Sequence, residues 1–171
     1  MALYLGIDAG GTKTDCAVSN GAELLGQASG ASCKLARVGR VKAHDEDAYL
    51  YGYRLWTAKR YAEAETQLKK VVADYPKSRR ASFAQNLLGR SYLDSGKPSL
   101  ASMAFYENYK KFPDGERAPD SLLYLGQALT KLNKPADACK VYDELTDVYG
   151  GKISAAMKAQ IEAGRTTAKC K

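Results

Sequence analysis

The stretch "AYLYGYRLWTAKRYAEAETQLKKVVADYP", residues 48–76, holds two apolar stripes at helical spacing, separated by the polar break "TAKRY". The same arrangement returns twice, as "AQNLLGRSYLDSGKPSLASMAFYENYKKFP" (84–113) and "LLYLGQALTKLNKPADACKVYDELTDVYG" (122–150). Gly52, Gly89 and Gly126 recur at intervals of 37 residues, and so do Ala64, Ala101 and Ala138. Large residues keep the same interval at Leu68, Phe105 and Tyr142, and aromatics keep it at Tyr75, Phe112 and Tyr149. The breaks "DSGKP" and "KLNKP" are rich in turn formers. The proline ending each suits the first position of a following helix, where its missing N–H costs nothing. Each unit therefore reads as a helical hairpin.

Glycine inside a helix costs about 1 kcal/mol relative to alanine. Its recurrence at one interval predicts a close helix crossing at Gly52, Gly89 and Gly126. Ala64, Ala101 and Ala138 would supply the matching small surface, with Leu68, Phe105 and Tyr142 filling the space one turn on. Residues 152–168, "KISAAMKAQIEAGRTTA", continue as an amphipathic helix suited to covering the last hairpin.

These repeats resemble the tetratricopeptide repeat, whose unit is about 34 residues; here three extra residues lengthen each connection. A closer resemblance rests on "DEDAYLYGYRLW", "YAEAETQLKKVVADYPKS", "AQNLLGRSYLDSGKPSLASMAFYENYKKFPDGERAPDSLLYLGQAL" and "ACKVYDELTDVYG". Together they are similar to the C-terminal domain of the Tol–Pal-associated cell division coordinator family. That resemblance implies a periplasmic protein that binds Tol protein A and regulates a bifunctional peptidoglycan synthase during envelope constriction. The family's trimerising coiled coil and secretory signal are not found in this sequence as written, which reads as cytoplasmic if used in that form.

The front of the chain reads differently. Residues 3–15, "LYLGIDAGGTKTD", leave an apolar strand through an aspartate into a glycine-rich turn. Strands are expected near 3–8, 14–19 and 23–28, with an Asn-Gly turn in "SNGAE". The motif resembles the first phosphate motif of the actin–hexokinase superfamily, of the N-acetylglucosamine kinase and benzoyl-CoA reductase activator type. The resemblance implies that Asp8 orients magnesium-bound water, while Gly10, Gly11, Thr12 and Thr14 cradle phosphate. About 35 residues match, too few for the second phosphate loop, the adenosine segment and the two closing lobes. The expectation is therefore a vestigial site, no enzyme and no cofactor; ATP with magnesium belongs only to the alternative of a phosphoryl-transfer protein acting through Asp8–Thr14.

The expected class is mainly α. A truncated β-meander spans 1–38, a junction 39–47, three helical repeats 48–151, and a capping helix with its tail 152–171. Periodicity fades across "GASCKLARVGRVKAHDED", residues 30–47, as though two unrelated segments had been joined there.

Binding is expected on the inner face of the stacked hairpins, lined by the first helix of each. Inward positions fall at Tyr49, Tyr53, Asn86, Arg90, Leu123 and Gln127, with Trp56 and Lys131 nearby. Rings supply area and amides satisfy backbone groups, a combination suited to a protein or peptide segment. For Trp56 core packing is the expected role, and for each tyrosine it is the alternative.

Formal net charge is +7. Residues 1–40 hold +1 of it, from Lys13, Lys34, Arg37 and Arg40 against Asp8, Asp15 and Glu23, which leaves +6 for residues 41–171. The bases lie scattered among acids, as on a solvated surface; nonspecific polyanion binding, collapsing with salt, is a third reading. Glu63 and Glu65 beside Lys59 and Lys69 read as such a surface. The lone histidine, His44, falls in the polar junction and reads as exposed. Cys16, Cys33, Cys139 and Cys170 form no CxxC pair, so no metal site is expected. In an oxidising compartment Cys139 and Cys170 are candidates for a disulfide, a pairing that spacing leaves open. No apolar run is long enough to span a bilayer.

Overall fold

A computed structural model describes the backbone of residues 4–10, 13–19, 24–29 and 37–170, and the side chains of 44–170. Contacts divide the chain into two units, Met1–Ala43 and His44–Lys171. In the first, β1 (Tyr4–Gly10), β2 (Lys13–Ser19) and β3 (Leu24–Ser29) pair antiparallel in the order β1-β2-β3. Asp8 lies opposite Asp15, and Ala9 opposite Thr14. Of the expected phosphate-loop residues, Gly11 and Thr12 lie outside the described residues.

Helix α1 (Arg37–Thr57) runs straight through the stretch read as a junction. No proline stands between its ends to stop it, although the apolar pattern is thin there. His44 accordingly lies on a helix and is half-buried, not exposed in a linker. Six more helices follow: α2 (Tyr61–Asp74), α3 (Arg79–Asp94), α4 (Pro98–Lys111), α5 (Ala118–Lys131), α6 (Pro135–Tyr149) and α7 (Ala155–Ala168). The unit is thus mainly helical, three hairpins followed by α7.

Local chemistry sets the helix ends. Pro98 and Pro135 open α4 and α6. The Ser78 hydroxyl accepts from the Arg80 N–H at the start of α3, and that of Ser154 from the Met157 N–H at the start of α7. Each hairpin turns through one residue in the left-handed region: Lys59, Gly96 and Asn133, again 37 apart, at φ 58°, 74° and 57°. The N–H after each reaches back into the preceding helix, Arg60 to the Leu55 carbonyl, Lys97 to Tyr92 and Lys134 to Leu129, at 2.9, 2.8 and 2.9 Å. Lysine carries a Cβ penalty of about 1–2 kcal/mol in this conformation. Lys59→Gly is therefore expected to raise stability by about 1 kcal/mol, less the extra freedom glycine gains when unfolded. A urea melt would test this, and a less stable variant would refute it.

The glycines sit at the predicted crossings. A Cβ built on Gly52 would stand 2.7 Å from Leu68 Cδ2. One on Gly89 would stand 2.6 Å from Phe105 Cδ1, and one on Gly126 would stand 2.5 Å from Tyr142 Cε1. Ala64, Ala101 and Ala138 are fully buried. Tyr142 is held from two sides, because a Cβ on Gly164 of α7 would also strike its ring. The aromatic series closes the second helices: Tyr149 is buried and its hydroxyl donates to the Pro113 carbonyl of the hairpin before (2.6 Å).

Two features of the core escape the periodic reading. Ser121 Oγ accepts from the amides of both Asn86 (2.9 Å) and Asn108 (2.7 Å), joining α3, α4 and α5 through a buried polar node. Glu65, expected on the solvated face, is 7% exposed. Lys97 Nζ, from the next hairpin's turn, donates to its Oε1 and Oε2, each at 3.0 Å, and the Ser95 hydroxyl donates at 3.1 Å. The following turn folds over Glu65; Glu63, two residues away, remains on the surface with Arg60.

The stack curves for a simple reason. Among the described residues odd helices approach one another, α3 on α5 and α5 on α7, whereas α2, α4 and α6 touch only odd helices. The closely spaced odd helices form the inner, concave face. At the far end Cys139 of α6 and Cys170, just beyond α7, form a disulfide, the pairing the sequence left open.

Candidate binding groove

Helices α1, α3 and α5 place a band of aromatic rings and guanidinium groups on the concave face. Tyr49 meets Phe83 edge-on at 6.0 Å and Tyr53 at 6.5 Å, and Tyr53 continues to Trp56 at 5.8 Å. Three arginines interleave with these rings. Arg80 lies over Tyr49 (5.3 Å) and Phe83 (5.0 Å), and Arg117 over Phe83 from the other hairpin (4.9 Å). Arg90 lies over Trp56 (4.5 Å) and Tyr124 (5.3 Å), so it bridges α1 and α5. Cations over aromatic faces gain about 0.5–2 kcal/mol depending on exposure, and each contact fixes a long side chain in place.

Hydrogen bonds set the orientation of the band. Arg80 Nε donates to Glu46 Oε2 (2.6 Å), and Arg117 Nη1 to Asp120 Oδ1 (3.2 Å). Trp56 Nε1 donates to Asp94 Oδ2 (2.8 Å), which holds the indole beneath Arg90. Burial pushes the Tyr49 phenol up from its ordinary value, against the opposing pull of the positive charges on Arg117, Arg80 and Arg90.

Of the six inward positions expected from the sequence, four remain available. Tyr53 is 41% exposed, and Tyr49, Arg90 and Gln127 are half-buried. Asn86 is only 5% exposed, with its amide committed to Ser121, and Leu123 is 2% exposed. Asn86 sits where α3 meets α5, and Leu123 is taken into the core, so packing takes side chains that the repeat pattern offers to the groove. Trp56 is half-buried: it packs against the core, as expected, and carries Arg90 over its ring. Gln127 and Lys131 line a cleft of about 360 Å³ between α5 and α7, together with Gln160 and Gly164.

Arg80, Arg117, Phe83 and Tyr124 were not anticipated. Arg80 and Arg117 stand one repeat interval apart, 37 residues, so the period itself carried the signal. Among the described residues no group of three His, Cys, Asp or Glu side chains is placed to hold a metal ion, and no helix is long and apolar enough to cross a membrane.

The tetratricopeptide repeat family matches residues 48–78 and 120–151, which overlap the first and third hairpins. Both segments carry the tetratricopeptide repeat pattern. Solved structures agree on the fold. The tetratricopeptide repeat domain of Sgt2 from Aspergillus fumigatus superimposes with a TM-score of 0.61 at 17% identity, over 74% of this chain and 80% of that one. The type III secretion chaperone SycD of Yersinia enterocolitica, solved in complex with a peptide of the translocator YopD, gives 0.57 at 14% identity, over 71% and 92%. PilF of Pseudomonas aeruginosa gives 0.53 at 24% identity, over 73% and 56%. No curated protein matches the sequence.

Proposed function

We propose that this chain is a non-enzymatic binding module whose concave face receives a segment of another protein. The observation that carries the reading is the ring and guanidinium band across α1, α3 and α5, where Tyr53 is exposed and Tyr49, Trp56 and Arg90 are half-buried. Aromatic and arginine side chains are the residues most often responsible for binding energy at interfaces. Their positions here are fixed in advance by stacking and by the Trp56–Asp94 bond, which lowers the ordering cost of association. A structural neighbour of the same fold was solved with a peptide. No cofactor enters this reading.

The resemblance of residues 45–171 to the envelope-constriction coordinator extends the proposal. The segment would come from Tol protein A or from a peptidoglycan synthase, in the periplasm. The Cys139–Cys170 bond supports an oxidising compartment. The alternative, an ATP-binding protein acting through Asp8–Thr14, has only its sequence motif behind it.

Tyr53→Ala combined with Arg90→Ala is expected to weaken capture of purified Tol protein A by about a hundredfold, as loss of two interface anchors does, while the helical circular dichroism and melting midpoint stay near wild type. Titration calorimetry measures the first and a thermal melt the second. A folded double variant that binds as tightly as wild type excludes the groove; wild-type protein that ignores Tol protein A excludes that partner.

A further inference from the structure

On the outer face of the stack the middle hairpin departs from its neighbours. Leu100, Met103 and Tyr106 of α4 are 44%, 60% and 52% exposed. One repeat interval earlier the same positions hold Glu63, Thr66 and Lys69, and one interval later Asp137, Lys140 and Asp143. The first and third hairpins thus meet water there with polar or charged side chains, as a solvated helix face does. The middle one presents three large apolar or aromatic side chains at the same place. Core packing of α4 falls to other positions, Ala101, Ala104, Phe105 and Asn108.

Leu100 and Met103 border a groove of about 500 Å³ between α2 and α4, with Val72 on the opposite wall and Leu88 and Tyr92 of α3 at the floor. One repeat on, the position of Val72 holds Tyr109, half-buried, whose hydroxyl donates to Glu144 Oε1 (2.5 Å) and whose ring meets Tyr149 edge-on at 6.3 Å. There the chain supplies its own ring; Val72 is too short to do the same. The walls are helices, whose backbone groups are spent internally. Gln85 at the floor has both amide hydrogens directed to the Ala104 carbonyl (3.1 Å) and Glu107 (3.4 Å). The groove therefore offers little to the backbone of an extended chain and suits an occupant that satisfies its own. Its charge is basic. Lys69, with its ammonium over the Tyr92 ring, and Lys111 line it, and the one acid among its lining residues, Glu107, is held by Lys111 at 3.2 Å. Lys70 and Lys110, next to these lysines in sequence, are exposed. Two copies brought face to face here would oppose like charges.

We propose that this outer groove is a second docking site, and that its occupant is an amphipathic helix of another protein with an apolar ridge between acidic flanks. The ridge enters between α2 and α4 and rests on Leu88 and Tyr92. Leu100 and Met103 cover its side, and the flanking acids meet Lys69 and Lys111. From Leu100 to Lys111 the wall runs about 16 Å, three helical turns, enough to seat ridge residues at i, i+3, i+4 and i+7. A helix brings no unmet backbone groups into an apolar groove, which is why the walls need no further polar atoms. This site lies on the even helices and shares no residue with the concave band, so it stands whether or not that band binds a segment.

A displayed library of helical peptides, with a fixed apolar ridge and random flanking positions, tests this on the whole chain. Leu100→Asp combined with Met103→Lys installs the side chains that the third hairpin carries at these positions, so the melting midpoint should stay near wild type. Met103→Lys alone, at an exposed position, serves if the pair lowers the melt. Peptides that lose binding in this variant but keep it in Tyr53→Ala with Arg90→Ala report the outer groove. They are expected to carry Asp or Glu beside the ridge. Changing those acids to their amides should weaken binding to the wild-type chain by at least about tenfold, and far less to Lys69→Gln with Lys111→Gln. A library with no binder that depends on Leu100 and Met103 overturns the inference, and so do dependent binders with no acidic preference. Benzoylphenylalanine in place of Met103, irradiated in the chain alone, reports the other occupants. A product joined to a second copy, or to residues 1–43 of the same chain, overturns the inference, because this protein then fills the groove itself.

Discussion

Phe105→Ala is expected to destabilise the helical unit by about 3–5 kcal/mol, the range for removing a buried aromatic side chain from a packed core. Phe105 is fully buried, and it lies face to face with Tyr124 at 5.6 Å as well as against Gly89. Its loss would leave a void bounded by three helices, α3, α4 and α5. The opposite change tests the same contact from the other side. Gly89→Ala improves helix propensity by about 1 kcal/mol, yet its Cβ would meet ring atoms 2.6 and 2.8 Å away. A closed ring cannot fold aside as a leucine branch can, so the strain of about 1–3 kcal/mol outweighs the gain. Combining Gly89→Ala with Phe105→Leu should recover stability beyond the sum of the two single changes, because the pair then matches the small-against-leucine contact of Gly52 and Leu68. Urea unfolding followed at 222 nm, with slopes compared across the set, measures each value. Strict additivity in this cycle would show that Gly89 and Phe105 do not share a contact.

That pairing also explains which parts of the molecule were legible in the sequence. Gly52, Gly89 and Gly126 could be read because one geometric requirement, a large side chain against a bare backbone, is repeated at every crossing and leaves no tolerance. The chain must satisfy it with composition alone. Glu65 could not be read the same way. Its environment is made by Lys97 and Ser95, which belong to the next hairpin's turn; a base recurs there at Arg60, Lys97 and Lys134, but Glu65 has no acidic counterpart at Ser102 or Cys139. The groove was half legible for a related reason. Tyr53 projects from α1 into open space and Arg90 stays half-open between two rings, but Asn86, bonded to Ser121 of α5, and Leu123 are buried. Inward direction follows from helical phase; whether a position stays open depends on how closely successive hairpins approach. Trp56 shows the limit in the other direction. Its indole N–H needs an acceptor, and Asp94 supplies one from 38 residues away, a choice visible only once α1 and α3 are side by side.

The second large effect concerns the far end of the stack. Reducing the Cys139–Cys170 bond, or replacing both residues in Cys139→Ser with Cys170→Ser, is expected to release α7 before any other helix. Apolar burial holds α7 thinly. Ile161 and Ala168 are its buried residues, whereas α5 buries seven. One buried isoleucine contributes about 1.5–3 kcal/mol, and the Arg165–Asp143 pair is an exposed ion pair worth little more than about 1 kcal/mol. Against this, closing a loop across a separation of 31 residues restricts the unfolded chain by about 3.5 kcal/mol on the chain-entropy account. The crosslink is thus comparable to everything else that fastens α7. Its loss should also uncover Tyr142, whose ring rests against Gly164 as well as Gly126, and so loosen the α5–α6 hairpin next. Hydrogen exchange read by mass spectrometry, with and without a dithiol reductant, resolves the order. Protection should fall first across 155–168, then in α5 and α6, with α3 and α4 last. An α7 that keeps its protection after reduction would mean that its packing against α5 and α6 suffices alone, and that the disulfide contributes nothing to the cap.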